Sequence, residues 1–502
     1  MRYFMGVDLG TSSVKAVLMG EDGRITGLSQ REYGMDKPRA TYAEQDMEVL
    51  WRAVREALCE LTGRCREHLG NLCGVGFSGQ MHGLVMTDRE GSPVRKAIIW
   101  ADQRSEEAVA SLYRQIPEEQ YRQITLNALG TGFLIASLLW VRKEEPRNFE
   151  RAYRVMLPKD YIRFKMCGEW GTDMTDASGT GVFDTAHRNW AWEIIDRLSI
   201  SRELFVPCFE SGELVGKCTR QSFAETGVPE GTPIVCGGGD TLMQAVGNGI
   251  MEPGILVSNV GTASQVACAV DAPLCDPLYR INTFCHVREG VWMMVGANLS
   301  GGVSLQWLKQ NILHMDTFDE MAALASQSPA GSGGLLFLPY LNGERTPWND
   351  PEARGIYFGL NLNHTRADMI RSTMEGIVFN QKCSLEILQD RGLSFSRIIS
   401  SGGGARSRLF REILADVFGK EICRSLVKEQ AAVGAAVTAA VGVGVYRDFS
   451  EACRCITRLD RDVVEPDPVR VRRYEEQFQQ FKALYPANRR LFCRKTPQGK
   501  TD

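Results

Sequence analysis

No stretch of this chain approaches the roughly twenty consecutive apolar residues that a membrane-spanning helix needs. Charge of one sign is also lacking: 58 Lys and Arg face 61 Asp and Glu, a net charge of −3. That balance argues against nucleic acid or an acidic membrane as a partner. The 15 cysteines include no Cys-x-x-Cys pair and are scattered along the chain, so they read as reduced core thiols. No GxxxxGK[ST] loop occurs, which excludes a P-loop nucleotide site. Met1 to Gly6 runs into Val7-Asp8 without a long apolar core or cleavage site. A signal peptide is therefore not expected, and a cytoplasmic location is. What the chain does have is length: 502 residues, with the composition of an ordinary soluble protein and enough for two or three domains.

One pattern is written twice. Val7-Asp8-Leu9-Gly10-Thr11-Ser12-Ser13-Val14-Lys15 runs into apolar Ala16 to Met19, and Val257-Ser258-Asn259-Val260-Gly261-Thr262-Ala263-Ser264-Gln265 runs into Val266 to Ala269. Each is an apolar strand, a Gly-Thr-x-Ser tip and a second apolar strand. Such a tip gathers hydroxyls and free N–H groups, and two tips facing each other would clamp a polyphosphate. The repeat points to a duplicated nucleotide-binding architecture. The copies are unequal, since Asn259 stands where the first has Asp8. Metal handling is therefore expected at the first tip and phosphate grip at the second.

The surrounding pattern is α/β. Strands are expected at Phe4–Leu9, Val14–Met19 and near Arg24–Leu28, then a helix with Leu50, Val54, Leu58 and Leu61 on one face. Strand-like Cys73–Phe77 follows, then hairpin-like Leu84–Thr87 and Ala97–Trp100. The second half restarts near Gly254, with helices around Arg366–Leu388 and Leu409–Phe418 and the strand Arg397–Ser400 between them. Ala431–Val445 reads as a closely packed helix, and Tyr474, Phe478, Phe481 and Leu484 mark a final amphipathic one. Glycines from Gly247 to Gly254 make the best hinge.

Several residues could carry chemistry. Asp240, after the strand Pro233–Cys236 and three glycines, reads either as a general base or as an aspartate capping the next helix. Gly402–Ala405 follows a strand and reads as a nucleotide contact or a plain strand-to-helix turn. Asp8 could hold a magnesium ion or bond its own turn, and His82 could bind a hydroxyl or be structural. Gly74-Val75-Gly76-Phe77-Ser78-Gly79 formally matches GxGxxG, but its glycines lie within the strand and no helix follows, so a dinucleotide site is rejected.

These segments together resemble the FGGY family of carbohydrate kinases over nearly the whole chain. The likeness is carried by Asp8–Ser12, Gly79–Gly83, Leu157–Tyr161, Thr172–Ala177, Gly237–Asp240, Gly343–Pro347 and Gly402–Arg406. It implies two ribonuclease-H-like, actin-type domains around a central cleft, residues 1–247 and 248–502, with the last helix packing back on the first. ATP and Mg²⁺ would lie between the hairpins, and the sugar mainly against the first domain. The resemblance makes Asp240 the catalytic base and Asp8 with Asp240 the metal site. It places Thr11, Ser12, Lys15, Gly261, Thr262, Gly302, Gln306, Gly403, Gly404 and Ala405 around the nucleotide. Met81, His82, Trp100, Asp102 and Thr241 become the sugar contacts.

Gln80-Met81-His82 is the stretch of xylulose-phosphorylating members, where glycerol-phosphorylating ones read Gln-Arg-Glu. The expected reaction is D-xylulose to D-xylulose 5-phosphate. Another pentulose, a hexulose or a polyol is the alternative, and a non-enzymatic actin-fold ATPase a distant one. Four departures stand out. Ala101 and Thr241 each replace an amide beside the sugar, Ser137 replaces a lysine, and Ala263 interrupts the second Gly-Thr-Ser. A homodimer is suggested only by some relatives.

Overall fold

The computed structural model describes residues 1–492. Two sheets repeat one topology. In the first, Ile25–Glu32, Ser13–Gly20 and Tyr3–Leu9 run antiparallel, and Tyr3–Leu9 then pairs in parallel with Leu72–Gly79, which pairs with Pro233–Val235. In the second, Trp292–Asn298, Ser264–Val270 and Ile255–Val260 are antiparallel, followed in parallel by Arg397–Gly402 and Ile422–Arg424. The spatial order is 3-2-1-4-5 both times, so the duplicated hairpin is the visible end of a duplicated sheet. Each tip is closed by a backbone bond from its glycine, Gly10 N donating to Ser13 O and Gly261 N to Ala263 O, both at 3.0 Å, the second one residue tighter.

The first helix, Met47–Arg64, starts at Asp46, whose side chain accepts from Glu48 N. It buries Leu50, Val54, Leu58 and Leu61 completely against the first sheet, each contributing roughly 1.5–3 kcal/mol. Residues between the strands Leu72–Gly79 and Leu214–Lys217 form a largely helical insertion.

Leu84–Thr87 and the segment that returns to Trp100 do meet as a hairpin. Leu84 and Ile98 exchange backbone bonds, Val94 N donates to Met86 O at 2.9 Å, and the turn closes with Asp88 N donating to Ser92 O at 2.9 Å and Gly91 N to Asp88 O at 3.1 Å. Its strands also pair outward, Val85–Thr87 with Arg154–Met156 and Ala97–Ile98 with Glu44–Gln45. One expectation fails. The final helix, Pro468–Phe492, does not return to the first domain. It lies against Arg408–Phe418 and Arg366–Asp390. The helix that crosses over is Gln430–Gly442, with Phe449–Ile456 beside it, packed on the first sheet and on Asp240–Gly247. Its approach needs glycine: a Cβ at Gly6 or Gly76 would stand 1.9 or 2.0 Å from the carbonyl oxygen of Ala432 or Ala435. The glycines within Leu72–Gly79 thus serve helix-on-sheet contact. Among the described residues no helix is long and apolar enough to cross a membrane, and the described cysteines are all free and mostly buried.

Candidate active site

Between the sheets lie two neighbouring cavities. One, of about 470 Å³, is lined by Met81, His82, Trp100, Asp240 and Thr241 from the first half, and by the second hairpin and Arg345 from the second. The other, of about 650 Å³, is lined by Asp8, Lys15, Gly403, Ala405 and the segment Arg424–Ala431. Gln244 and Asn259 border both, and Asn259 Nδ2 donates to Gln244 Oε1 at 2.9 Å. This pair forms the partition between the cavities. It also explains why the second hairpin carries asparagine, since an aspartate could not donate to that oxygen.

Asp240 opens the helix Asp240–Gly247, directly after Gly239 at the N-cap. Its Oδ1 accepts from Thr241 N at 2.6 Å and Thr241 Oγ1 at 3.3 Å. Burial, and then repulsion from Asp8, push its pKa up to about 7, which suits a base working near neutrality. Asp8, at the end of the first strand, accepts from Ser78 Oγ at 2.7 Å, and burial raises its pKa too. Two buried carboxylates that destabilise each other's charge are a donor set that a divalent cation would relieve.

His82 sits at φ 74°, a conformation a non-glycine side chain adopts only when its surroundings hold it. Its ring stacks on Phe133 at 4.3 Å, and Nδ1 lies 2.6 Å from the Gly179 carbonyl. A carbonyl only accepts, so Nδ1 carries the proton and Nε2 is left as an acceptor. Burial pushes the imidazole pKa down to about 4, keeping the ring neutral. Trp100 Nε1 donates to Thr11 Oγ1 at 3.0 Å, tying the cavity wall to the first hairpin.

Not every expected residue reaches a cavity. Asp102 is fully buried and satisfied by Arg104 and Ala43 N, so it braces the wall rather than facing a ligand. Ser12 is exposed on the outer side of its hairpin, beside Tyr33. Gly302 N bonds the Gly261 carbonyl at 2.8 Å, buttressing the second tip, while Gln306 is exposed one turn on. Gly404 follows Gly403 in a short 3₁₀ turn, half-buried. Gly261 and Thr262 border the same cavity as Asp240, not the one holding Asp8 and Lys15. Ser137, at the lysine position, is wholly buried away from both. Sequence reasoning missed Gln244, which helical spacing one turn after Asp240 could have found, and Arg345, which sits in a quoted segment but was given no role.

Behind Asp240 lies a buried ionic cluster. Lys159 Nζ is 2.6, 3.0 and 3.4 Å from Asp160, Asp173 and Asp176, every side chain fully buried. Asp173 caps the turn Met174–Ala177, and Thr175 Oγ1 accepts from Gly239 N at 2.9 Å. The cluster thus grips the residue that precedes Asp240. These three carboxylates could geometrically hold a metal, but Lys159 already occupies their centre.

Two sheets of one topology with neighbouring cavities between them, Asp240 on the wall of one and Asp8 on the wall of the other, are the frame of a two-domain phosphotransferase of the actin-like class. The models of the FGGY family of carbohydrate kinases, N-terminal and C-terminal domains, match residues 3–247 and 256–443. The chain belongs to that family and is an ATP-dependent carbohydrate kinase. It is 31% identical to the xylulose kinase of Bacillus subtilis over 97% of both chains. It is 27% identical to the gluconokinase of the same organism over 89% of both. A ligand-bound xylulose kinase from Lactobacillus acidophilus superposes with a TM-score of 0.92 at 26% identity, covering 97% of this chain and 99% of that one.

Proposed function

We propose that the chain phosphorylates D-xylulose to D-xylulose 5-phosphate, with residues 1–247 and 248–502 as its two closing domains. The observation that carries this reading is the position of Asp240, on the Met81–His82 side of the partition and electrostatically coupled to Asp8 on the other. The smaller cavity takes the sugar and the larger one ATP. His82 Nε2 accepts from a sugar hydroxyl, and Trp100 walls the site. Asp240 takes the proton of the attacking primary hydroxyl. The N–H groups of the hairpin tips and Lys15 hold phosphate oxygens, stabilising charge as it develops. Lys15 Nζ, now 2.6 Å from Glu429, is free to exchange that carboxylate for a phosphate.

Asp8 and Asp240 would hold Mg²⁺, which when bound neutralises phosphate charge. Cleft closure near Gly249 and Gly254, both in positive-φ backbone, excludes water and limits idle hydrolysis. Another pentulose or a polyol is the second reading, because Ala101 and Thr241 present no amide and the Thr241 hydroxyl is turned to Asp240.

Coupled ADP release across pentuloses, polyols and gluconate tests the acceptor. D-Xylulose should give the highest kcat/KM, and its failure while another acceptor turns over would overturn the assignment. Asp240→Asn should lower kcat by about 10²-fold or more with ATP binding retained. Near-normal turnover would remove Asp240 as the base.

A further inference from the structure

Among the described residues Arg345 is the one cation on the wall of the Asp240 cavity, and Asp240 the one carboxylate. Its backbone is clamped. Glu344 Oε1 accepts from Arg345 N at 2.8 Å and Leu299 N at 2.7 Å, and Glu344 Oε2 accepts from Asn380 Nδ2 at 2.6 Å. Thr346 is bonded to Ala297 and Asn298 on either side. The guanidinium is not satisfied in the same way. Among the described residues it has no hydrogen-bond acceptor and no ion pair, only the Trp100 ring with its centroid 5.7 Å away. A rigidly presented guanidinium with five free donors, half-withdrawn from water, is costly unless a ligand completes it.

The ligand it completes is on the acceptor side. Arg345 lies over Trp100 and close enough to His82 to oppose protonation of that ring. It does not border the cavity of Asp8, Lys15 and Gly403. His82 Nε2 and Arg345 are complementary, one an acceptor for a hydroxyl proton, the other a fork of donors for an oxygen lone pair. Together they fit neighbouring oxygens of a polyhydroxylated acceptor, of which one donates and one accepts. A ketose with its carbonyl beside a hydroxyl has that arrangement.

We propose that Arg345 is the second domain's half of the acceptor site, donating to an acceptor oxygen remote from the hydroxyl that Asp240 deprotonates. Because Met81, His82, Trp100 and Asp240 belong to the first half of the chain and Arg345 to the second, the sugar is gripped across the cleft. Acceptor binding by itself then favours closure, before any nucleotide contributes. This rests on the smaller cavity being the acceptor site, and its failure is separable from failure of that reading.

The test compares wild type with Arg345→Met and Arg345→Lys, using D-xylulose or, should wild type reject it, whichever acceptor wild type phosphorylates. Arg345→Met should raise the acceptor KM by about tenfold to a hundredfold with KM for ATP within about twofold, and Arg345→Lys should recover part of the loss. Small-angle scattering of wild type should show compaction on adding acceptor alone, absent in Arg345→Met, while a non-hydrolysable ATP analogue still compacts both. A rise confined to KM for ATP, or acceptor-alone compaction unchanged in Arg345→Met, would overturn the proposal and leave the acceptor cavity standing. Loss of acceptor turnover by wild type across the whole panel would instead sink the functional reading.

Discussion

Replacing Lys159 by methionine keeps the length of the side chain but removes the charge that three buried aspartates share. Its ammonium lies 2.6 Å from Asp160, 3.0 Å from Asp173 and 3.4 Å from Asp176, with no exposed surface on any of the four side chains. Arg163, the other buried cation nearby, reaches Asp160 only at 3.9 Å. Burial, and then repulsion from Asp173, Asp160 and Asp240, hold the Asp176 carboxyl well above the usual range against the pull of Lys159. The methionine variant takes away the ammonium that lies among these carboxylates. Removing one partner of a buried ion pair costs about 3–5 kcal/mol, a large part of the ~5–15 kcal/mol by which domains are stable. Urea titration followed by tryptophan fluorescence should show that loss at pH 7.5.

The loss should shrink as pH falls. Orphaned carboxylates can discharge their penalty by taking up protons, and a carboxyl whose folded pKa is raised favours folding more at low pH. Activity should fall even where the variant is folded, because Asp173 caps the turn whose Thr175 hydroxyl accepts from Gly239 N. A stability loss below about 1 kcal/mol, or one that does not depend on pH, would refute the account of the cluster.

Gly76→Ala would drive a Cβ to 2.0 Å from the Ala435 carbonyl oxygen, backbone against backbone. It should destabilise by about 1–3 kcal/mol, visible as a lower melting temperature; an unchanged one would mean the crossing helix is held elsewhere. His82, with its pKa held near 4 by burial, should stay neutral and add no limb of its own to the acceptor KM between pH 5 and 8, where the titrating group of the cavity is Asp240, at about 7. A limb near the ordinary histidine value of about 6.5 in wild type, absent in His82→Gln, would contradict this.

Local pattern reached far into this protein. The hairpin tips, the helix faces around Leu50 and Tyr474, and the strand-then-glycine approach to Asp240 all follow from short-range rules of alternation, 3.6-residue spacing and turn chemistry. Duplication made the second sheet legible once the first was read. Residues whose meaning depends on distant partners were not legible. Asp102 looked like a sugar contact until Arg104 and Ala43 were seen to satisfy it. Asn259 looked like a lost aspartate until Gln244 accepted its amide proton.

The sequence by itself determined the two sheets, their hairpins and the candidate base, because each is specified by residues close in the chain. The tertiary structure alone decided that Gln430–Gly442 crosses to the first domain, that Lys159 sits among three aspartates, and that Arg345 faces Asp240's cavity with no acceptor for its guanidinium among the described residues. Those facts turn on contacts between residues far apart in sequence, where neither period nor propensity specifies a partner and only the packing of the whole chain does.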